Sequence, residues 1–327
     1  REHFTYSGPP IIDIHAHVTM TSPEDKSAGP AGGWGREGST DSAAMMLDVA
    51  REFGIGLTVS MCPPQDIAPL RERLGNRILF NGMINKKTID TPDDEAFRTL
   101  DQFLEAGIKI VKLWSAPRGR ERGLLVDAPW RLEALRRAWK AGVRIVMVHV
   151  GDPDVWWTHT YTDTAKFGTK PDQYEPFLRT VELFPEFAWI GAHMGGDPEH
   201  PDHLEAMLER CPNLYLDTSA TKWQVREVSP RGEAIRSLIT RHPTRFLFGS
   251  DLVTRHKLTR EHYVSRYWCQ RSLWESTWTG QSPIADPDYS PSPDGPATPI
   301  LRGVGLAPEV LRRVYVENAG NLLRLGN

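Results

Sequence analysis

The chain has 327 residues, with 39 Lys and Arg against 42 Asp and Glu, a net charge of −3, and 39% hydrophobic residues before its 27 glycines are added. These are ordinary globular values that exclude gross disorder, and the absence of a basic excess sets aside a nucleic-acid surface or a polybasic membrane contact. No apolar run approaches the roughly 20 residues of a membrane span, so neither nucleic acid nor membrane is expected as a partner. Cys62, Cys211 and Cys269 are scattered without a CxxC pair. That spacing suits a reducing compartment, and a cytoplasmic location is the expectation.

Eight short segments, 11–18, 55–61, 78–84, 108–114, 144–150, 188–194, 214–219 and 246–252, are rich in Val, Ile, Leu and Phe without clean polar alternation. Strands buried on both faces of a parallel sheet read this way. Helical patterns fall between them at 41–53, 93–106, 129–141, 173–184 and 203–210, and a last helix is expected over 307–325. Gly54, Gly75, Gly107 and Gly142 punctuate helix ends. Eight strand–helix units predict a single-domain (β/α)8 TIM barrel over 1–327, with an open doubly wound sheet as the second choice. Long loops are expected after strands 1, 5 and 8. The stretch 253–305 holds an aromatic run at 263–278 and then a proline-dense tract. It reads as a lid-like insertion beside the site.

The run 11–17, IIDIHAH, puts His15 and His17 two residues apart on one strand, hence on one face, with Asp13 below them. Three later strands also end on a metal-competent residue after an apolar run: His149 on the fifth, His193 on the sixth and Asp251 on the eighth. A buried His or Asp is costly unless bonded or coordinated. Four such strand ends together point to a metal site at the C-terminal mouth of the barrel.

This series resembles the amidohydrolase superfamily. The phrases GAHMGG at 191–196, NLYLDTS at 213–219, FGSD at 248–251 and ENA at 317–319 are similar to its amidohydrolase-related branch, family 2, which includes aminocarboxymuconate-semialdehyde decarboxylase. The resemblance implies that His15, His17, His149 and Asp251 surround one divalent metal, usually zinc, with manganese as the other candidate. It also implies that His193 stands beside them as an acid–base group. Asp251 would share the proton chemistry, and Asp13 would orient a ligand or serve as a buried strand-base carboxylate. Binuclear relatives carry a carboxylated lysine on strand four. Lys112 stands there, and with His149 and His193 it would build a second metal site; one metal is the favoured arrangement.

Around these strand ends lie Trp34, Arg36, Trp114, Arg118, Asp152, Trp156, Trp157, His159, Lys222, Trp223 and Arg255. Aromatic walls with scattered cations suit a small flat or aromatic carboxylate as substrate. The leading expectation is a metal-dependent hydrolase of a small-molecule amide, lactone or related carbonyl using activated water. A non-oxidative decarboxylase of an aromatic or unsaturated carboxylate is the alternative, and a non-catalytic metal-containing barrel the third reading. The GxGxxG at 33–38 does not leave a strand directly and carries little weight for a nicotinamide or flavin enzyme. A homodimer is the default assembly.

Overall fold

The computed structural model describes residues 3–20, 40–255, 257–286, 288–289 and 297–324. Its main sheet contains β1 (Ile11–His17), β2 (Ile55–Met61), β3 (Ile78–Met83), β4 (Ile110–Trp114), β5 (Ile145–His149), β6 (Ala188–Gly191), β7 (Leu214–Asp217), β8 (Phe246–Leu247) and β9 (Leu252–Val253). The strands lie in sequence order from β1 to β8, every pair is parallel, and β9 pairs with β1. β8 and β9 are two pieces of the expected eighth strand. Between them Ile14 N donates to Phe248 O (3.0 Å) and Asp251 N donates to His15 O (2.7 Å), which closes the barrel against β1. The interruption has a local cause: Asp251 adopts φ 57°, outside the strand region.

The absence of polar alternation in these strands is explained by two apolar layers. Ile12, Ile14, Val59, Ile110, Met147, Ile190 and Leu247 fill the barrel interior. Ile11, Val111, Leu113, Val146, Val148 and Trp189 belong to a separate, larger core cluster shared with helix residues such as Leu100, Leu135 and Phe177. Helices Thr40–Glu52, Pro64–Leu74, Asp93–Glu105, Pro129–Lys140, Pro171–Leu183, Pro201–Arg210 and Gly232–Arg241 follow β1 to β7 in turn. Proline at the first turn recurs at residues 64, 129, 171 and 201, where its fixed φ suits the helix and its missing N–H is not needed.

Within the expected insertion, helix Arg260–Glu275 is a packed wall. Tyr263, Tyr267, Leu273 and Trp274 are fully buried. Glu275 accepts hydrogen bonds from Thr5 N and Tyr6 N (both 2.9 Å), from Tyr315 Oη (3.0 Å) and from Arg271 Nη2 (2.9 Å). The first turns of this helix face the cavity described below. A small hairpin, Thr279–Gln281 with Ile300–Arg302, follows. The last helix comprises Pro308–Arg312, a π turn at Arg313–Glu317 and Asn318–Leu323. Asn318 Nδ2 donates to Pro243 O (2.9 Å) and Phe246 O (2.8 Å), tying this helix to the start of the eighth strand.

Among the described residues no helix is long and apolar enough to cross a membrane.

Candidate active site

The two β1 histidines meet at one carboxylate, Asp251, and His15 also reaches a second. His15 places Nδ1 2.8 Å from Asp217 Oδ2 and Nε2 3.4 Å from Asp251 Oδ1, while His17 Nε2 lies 3.0 Å from the same Asp251 oxygen. Burial pushes the Asp217 and Asp251 carboxyls up, but the neighbouring imidazoles outweigh it and hold both well below the usual carboxylate range. Burial, reinforced by the Lys112 charge, lowers the His15 pKa. Imidazole contacts thus favour the ionised form of both carboxylates, while burial favours the neutral form of His15. An ionised carboxylate only accepts, so His15 carries its proton on Nδ1, toward Asp217, and leaves the Nε2 lone pair toward Asp251 and His17.

Asp217 also orders the next loop. Its Oδ1 accepts from His193 N (2.8 Å), Ser219 N (3.0 Å) and Ser219 Oγ. With the Ser219 proton directed to Asp217, Ser219 Oγ accepts from His193 Nδ1 at 2.7 Å. His193 is thereby set as the Nδ1–H tautomer with Nε2 free of its proton, and burial holds its pKa well below the ordinary value. The ring stacks on His15 (4.9 Å between centroids) and meets His149 (4.7 Å) and Trp223 (5.2 Å) edge-on. His193 has φ 58°. The loop that carries it approaches the β5 loop so closely that a Cβ on Gly196 would lie 1.9 Å from Gly151 O, and Gly196 itself has φ 73°. Only glycine satisfies both conditions.

His149 is placed differently from the other expected ligands. Its Nε2 lies 2.8 Å from Asp152 Oδ1, and Asp152 Oδ2 accepts from Tyr161 Oη. Lys112 is buried with Nζ 3.4 Å from His15 Nε2, and desolvation lowers its pKa to about 8 against the opposing pull of Asp217 and Asp251. Asp13 lies one layer down. It accepts from Ser250 N (3.0 Å) and Ser250 Oγ, so it braces β1 against the eighth-strand segment, and burial raises its pKa to about 7.

His15, His17, Lys112, His149, His193 and Asp251 line a cavity of about 380 Å³. Of the expected substrate contacts, Trp114, Arg118, Trp156, Lys222, Trp223 and Arg255 line it. Arg118 lies 5.0 Å over the Trp156 ring. Trp157 is not a lining residue; its indole N–H donates to Asp152 O at 3.3 Å and its ring packs on Tyr161. His159 is exposed and bonded to Thr160 Oγ1. Trp34 and Arg36 lie outside the described residues. Asp217, Ser219, Tyr161, His262 and Arg266 were not singled out from sequence as site residues. Asp217 does carry the readable signal, a carboxylate ending an apolar strand, within the phrase quoted at 213–219.

Three groups of donors among the described residues could hold a metal: His15, His17 and Asp251; His15, His193 and Asp217; and Asp154, Asp197 and His200. In the third, Lys170 Nζ lies 2.7 Å from Asp154 and 2.6 Å from Asp197, so a cation is already provided. In the second, the carboxylate accepts from its own histidine. The first fits a divalent cation: it offers an ionised carboxylate, the His15 Nε2 lone pair and the His17 ring at the cavity wall.

The family model for amidohydrolase (family 2) matches residues 12–325. No curated protein sequence matches the chain. Among solved structures, the chain is similar to 4-oxalomesaconate hydratase from Rhodopseudomonas palustris (14% identity, 96% of this chain and 95% of that one, TM-score 0.56). It is also similar to 5-carboxyvanillate decarboxylase from Novosphingobium aromaticivorans, solved with manganese and 4-hydroxy-3-methoxy-5-nitrobenzoic acid (12% identity, 99% of each chain, TM-score 0.52). An organophosphorus hydrolase from Deinococcus radiodurans is a third (17% identity, 96% and 92% covered, TM-score 0.54). At these identities the structural matches establish the barrel fold, and the family model spans nearly every residue described above: the chain belongs to the amidohydrolase family, in its second branch.

Proposed function

We propose that the chain is a metal-dependent hydrolase acting on an amide, lactone or related carbonyl of a small molecule. The observation that carries this reading is the convergence of His15 Nε2, His17 Nε2 and Asp251 Oδ1, with the His193 ring stacked on His15. His15, His17 and Asp251 would hold one divalent cation, with zinc favoured by the imidazole–carboxylate donor set and manganese as the alternative. His149 would join them as fourth ligand only after its ring gives up Asp152. When bound, the cation supplies Lewis acidity for the carbonyl and a water acidified to a pKa of about 7.

The protein's own groups account for the rest. Asp217 holds His15 in the ligating tautomer, as partners behind metal-bound histidines do. Ser219 holds the Nδ1 proton of His193, so Nε2 accepts the proton of the attacking water and returns it to the leaving nitrogen or oxygen. Trp114, Trp156 and Trp223 form apolar walls that exclude bulk water and strengthen these electrostatic contacts. Lys112, close to His15 Nε2, supplies positive charge where the carbonyl oxygen gains negative charge.

A second reading, non-oxidative decarboxylation of a small aromatic or unsaturated carboxylate, is favoured by one observation. Six Lys or Arg side chains line the cavity against two carboxylates. The two readings separate on products, measured with a panel of lactones, amides and aromatic carboxylates in 18O-labelled water. The hydrolase yields a labelled carboxylate and no CO2, and Asp251→Asn abolishes turnover while the circular dichroism spectrum is kept. CO2 release without label in the product overturns hydrolysis in favour of the second reading.

A further inference from the structure

His193 opens a turn that the chain does not adopt cheaply. Residues 193–196 all have positive φ (58°, 53°, 68° and 73°), and the first two, His193 and Met194, carry side chains that disfavour this conformation. The stretch 191–199 is buried throughout although it is a loop. A non-glycine residue keeps such a backbone only where its surroundings over-determine it. Asp217 Oδ1 restrains the first residue of the turn through His193 N, and the far end needs a restraint of its own.

A cluster of charges supplies it. Lys170, the residue before helix Pro171–Leu183, places Nζ 2.6 Å from Asp197 Oδ1, 2.7 Å from Asp154 Oδ1 and 3.7 Å from Glu199 Oε2. Asp197 and Glu199 are almost fully buried, and carboxylates so placed are costly without a cation between them. Burial disfavours the ammonium, but Asp197 and Glu199 outweigh it and raise the Lys170 pKa, so the charge is retained. Asp197 Oδ2 lies 2.6 Å from Nδ1 of His203 in helix Pro201–Arg210, and His200 Nε2 lies 2.8 Å from Asp154 Oδ2. Glu199 accepts from Asp154 N. Tyr174 Oη, one turn into helix Pro171–Leu183, donates to Gly195 O at 3.1 Å. The cluster therefore ties the His193 loop to two helices and to the loop that carries Asp152. Neither Lys170 nor Asp197 lines the cavity.

We infer that the ion cluster centred on Lys170 and Asp197 positions His193, by locking the left-handed turn at 193–196 so that the ring stays where Ser219 Oγ meets its Nδ1. Lys170 and Asp197 are positioning residues that act through the backbone. The inference rests on the proposed hydrolysis only for the proton chemistry given to this ring; the geometry itself is independent of the reaction.

The experiment reads two ring protons by NMR in metal-free, full-length protein labelled with 15N-histidine, so that failure of the hydrolase reading leaves the result intact. His193 Nδ1–H is bonded to Ser219 Oγ (2.7 Å), and His15 Nδ1–H to Asp217 Oδ2 (2.8 Å). The second bond joins β1 to β7 and serves as the internal control. Both protons are expected as protected signals in the parent, and their exchange with water is measured by magnetisation transfer. In Lys170→Met and in Asp197→Asn the His193 proton should exchange at least about tenfold faster, while the His15 proton stays within about threefold of the parent. Arg210→Met breaks ion pairs to Glu175 and Glu182 between the same two helices and should leave both protons unchanged. Acceleration confined to His193 in either cluster variant supports the assignment, and the isosteric Asp197→Asn carries the test if Lys170→Met does not fold. Rates unchanged in both cluster variants, acceleration matched at His15 or in Arg210→Met, or a parent without a protected His193 ring proton overturns the inference.

Discussion

Replacing Asp217 by Asn separates the carboxylate's role behind His15 from a purely structural one. Asp217 is fully buried and accepts four hydrogen bonds, from His15 Nδ1, His193 N, Ser219 N and Ser219 Oγ. Asparagine keeps one accepting oxygen, which the two backbone N–H groups on Oδ1 claim. Its NH2 then faces His15 Nδ1, donor against donor. His15 relieves the conflict by moving its proton to Nε2, which removes the lone pair aimed at Asp251 and His17. Loss of a partner behind a metal-bound histidine lowers metal affinity about 10- to 100-fold, equivalent to about 1.4–2.7 kcal/mol. Zinc affinity, measured by competition with a chromophoric chelator on protein whose circular dichroism matches the parent, should fall within that range. An affinity within about threefold of the parent would refute the reasoning.

Ser219→Ala should behave differently. Asp217 Oδ2 still holds His15 at 2.8 Å, so metal content is kept, while His193 loses the group that fixes its tautomer and turnover drops about 10- to 100-fold. Equal metal loss in Ser219→Ala and Asp217→Asn would contradict this. His193→Asn should retain metal and lose turnover, whereas retention of metal in His149→Asn would show that His149 stays with Asp152 rather than ligating. Glu275→Ala leaves Arg271 charged in a buried site and strips acceptors from Thr5, Tyr6 and Tyr315. A cost of about 3–5 kcal/mol is expected from urea unfolding, and a cost under about 1 kcal/mol would mean that helix Arg260–Glu275 is not the wall described.

The legible parts of the fold are those that depend on local pattern. β1 to β7 are readable because burial on both faces leaves continuous apolar runs. His15, His17, His193 and Asp251 are readable because each interrupts such a run at its C-terminal end. Helix Pro64–Leu74 is marked in the sequence only by Gly75 at its end, since Pro69 in its interior obscures the periodic pattern. The division of the eighth strand follows from a positive φ at Asp251, which an Asp tolerates but does not announce. Pairings across the chain are the least legible. Asp217 meets His15 across 202 residues, and His149 turns to Asp152 because Tyr161 holds that carboxylate from the far side of its loop. That His262 and Arg266 reach the cavity depends on helix Arg260–Glu275 packing into the barrel wall, whereas the aromatic run 263–278 reads equally well as a loose cover.

Metal content per chain is the most direct test of the central claim. Protein purified without chelator, and protein reconstituted with zinc or manganese after stripping, would be subjected to elemental analysis together with His15→Asn, His17→Asn and Asp251→Asn. About one equivalent in the parent, lost in all three variants, is the result expected of a single centre held by these residues. About two equivalents would bring Lys112 and His193 into coordination and contradict the single centre. No bound metal, even after reconstitution, would contradict the metal-dependent mechanism as a whole.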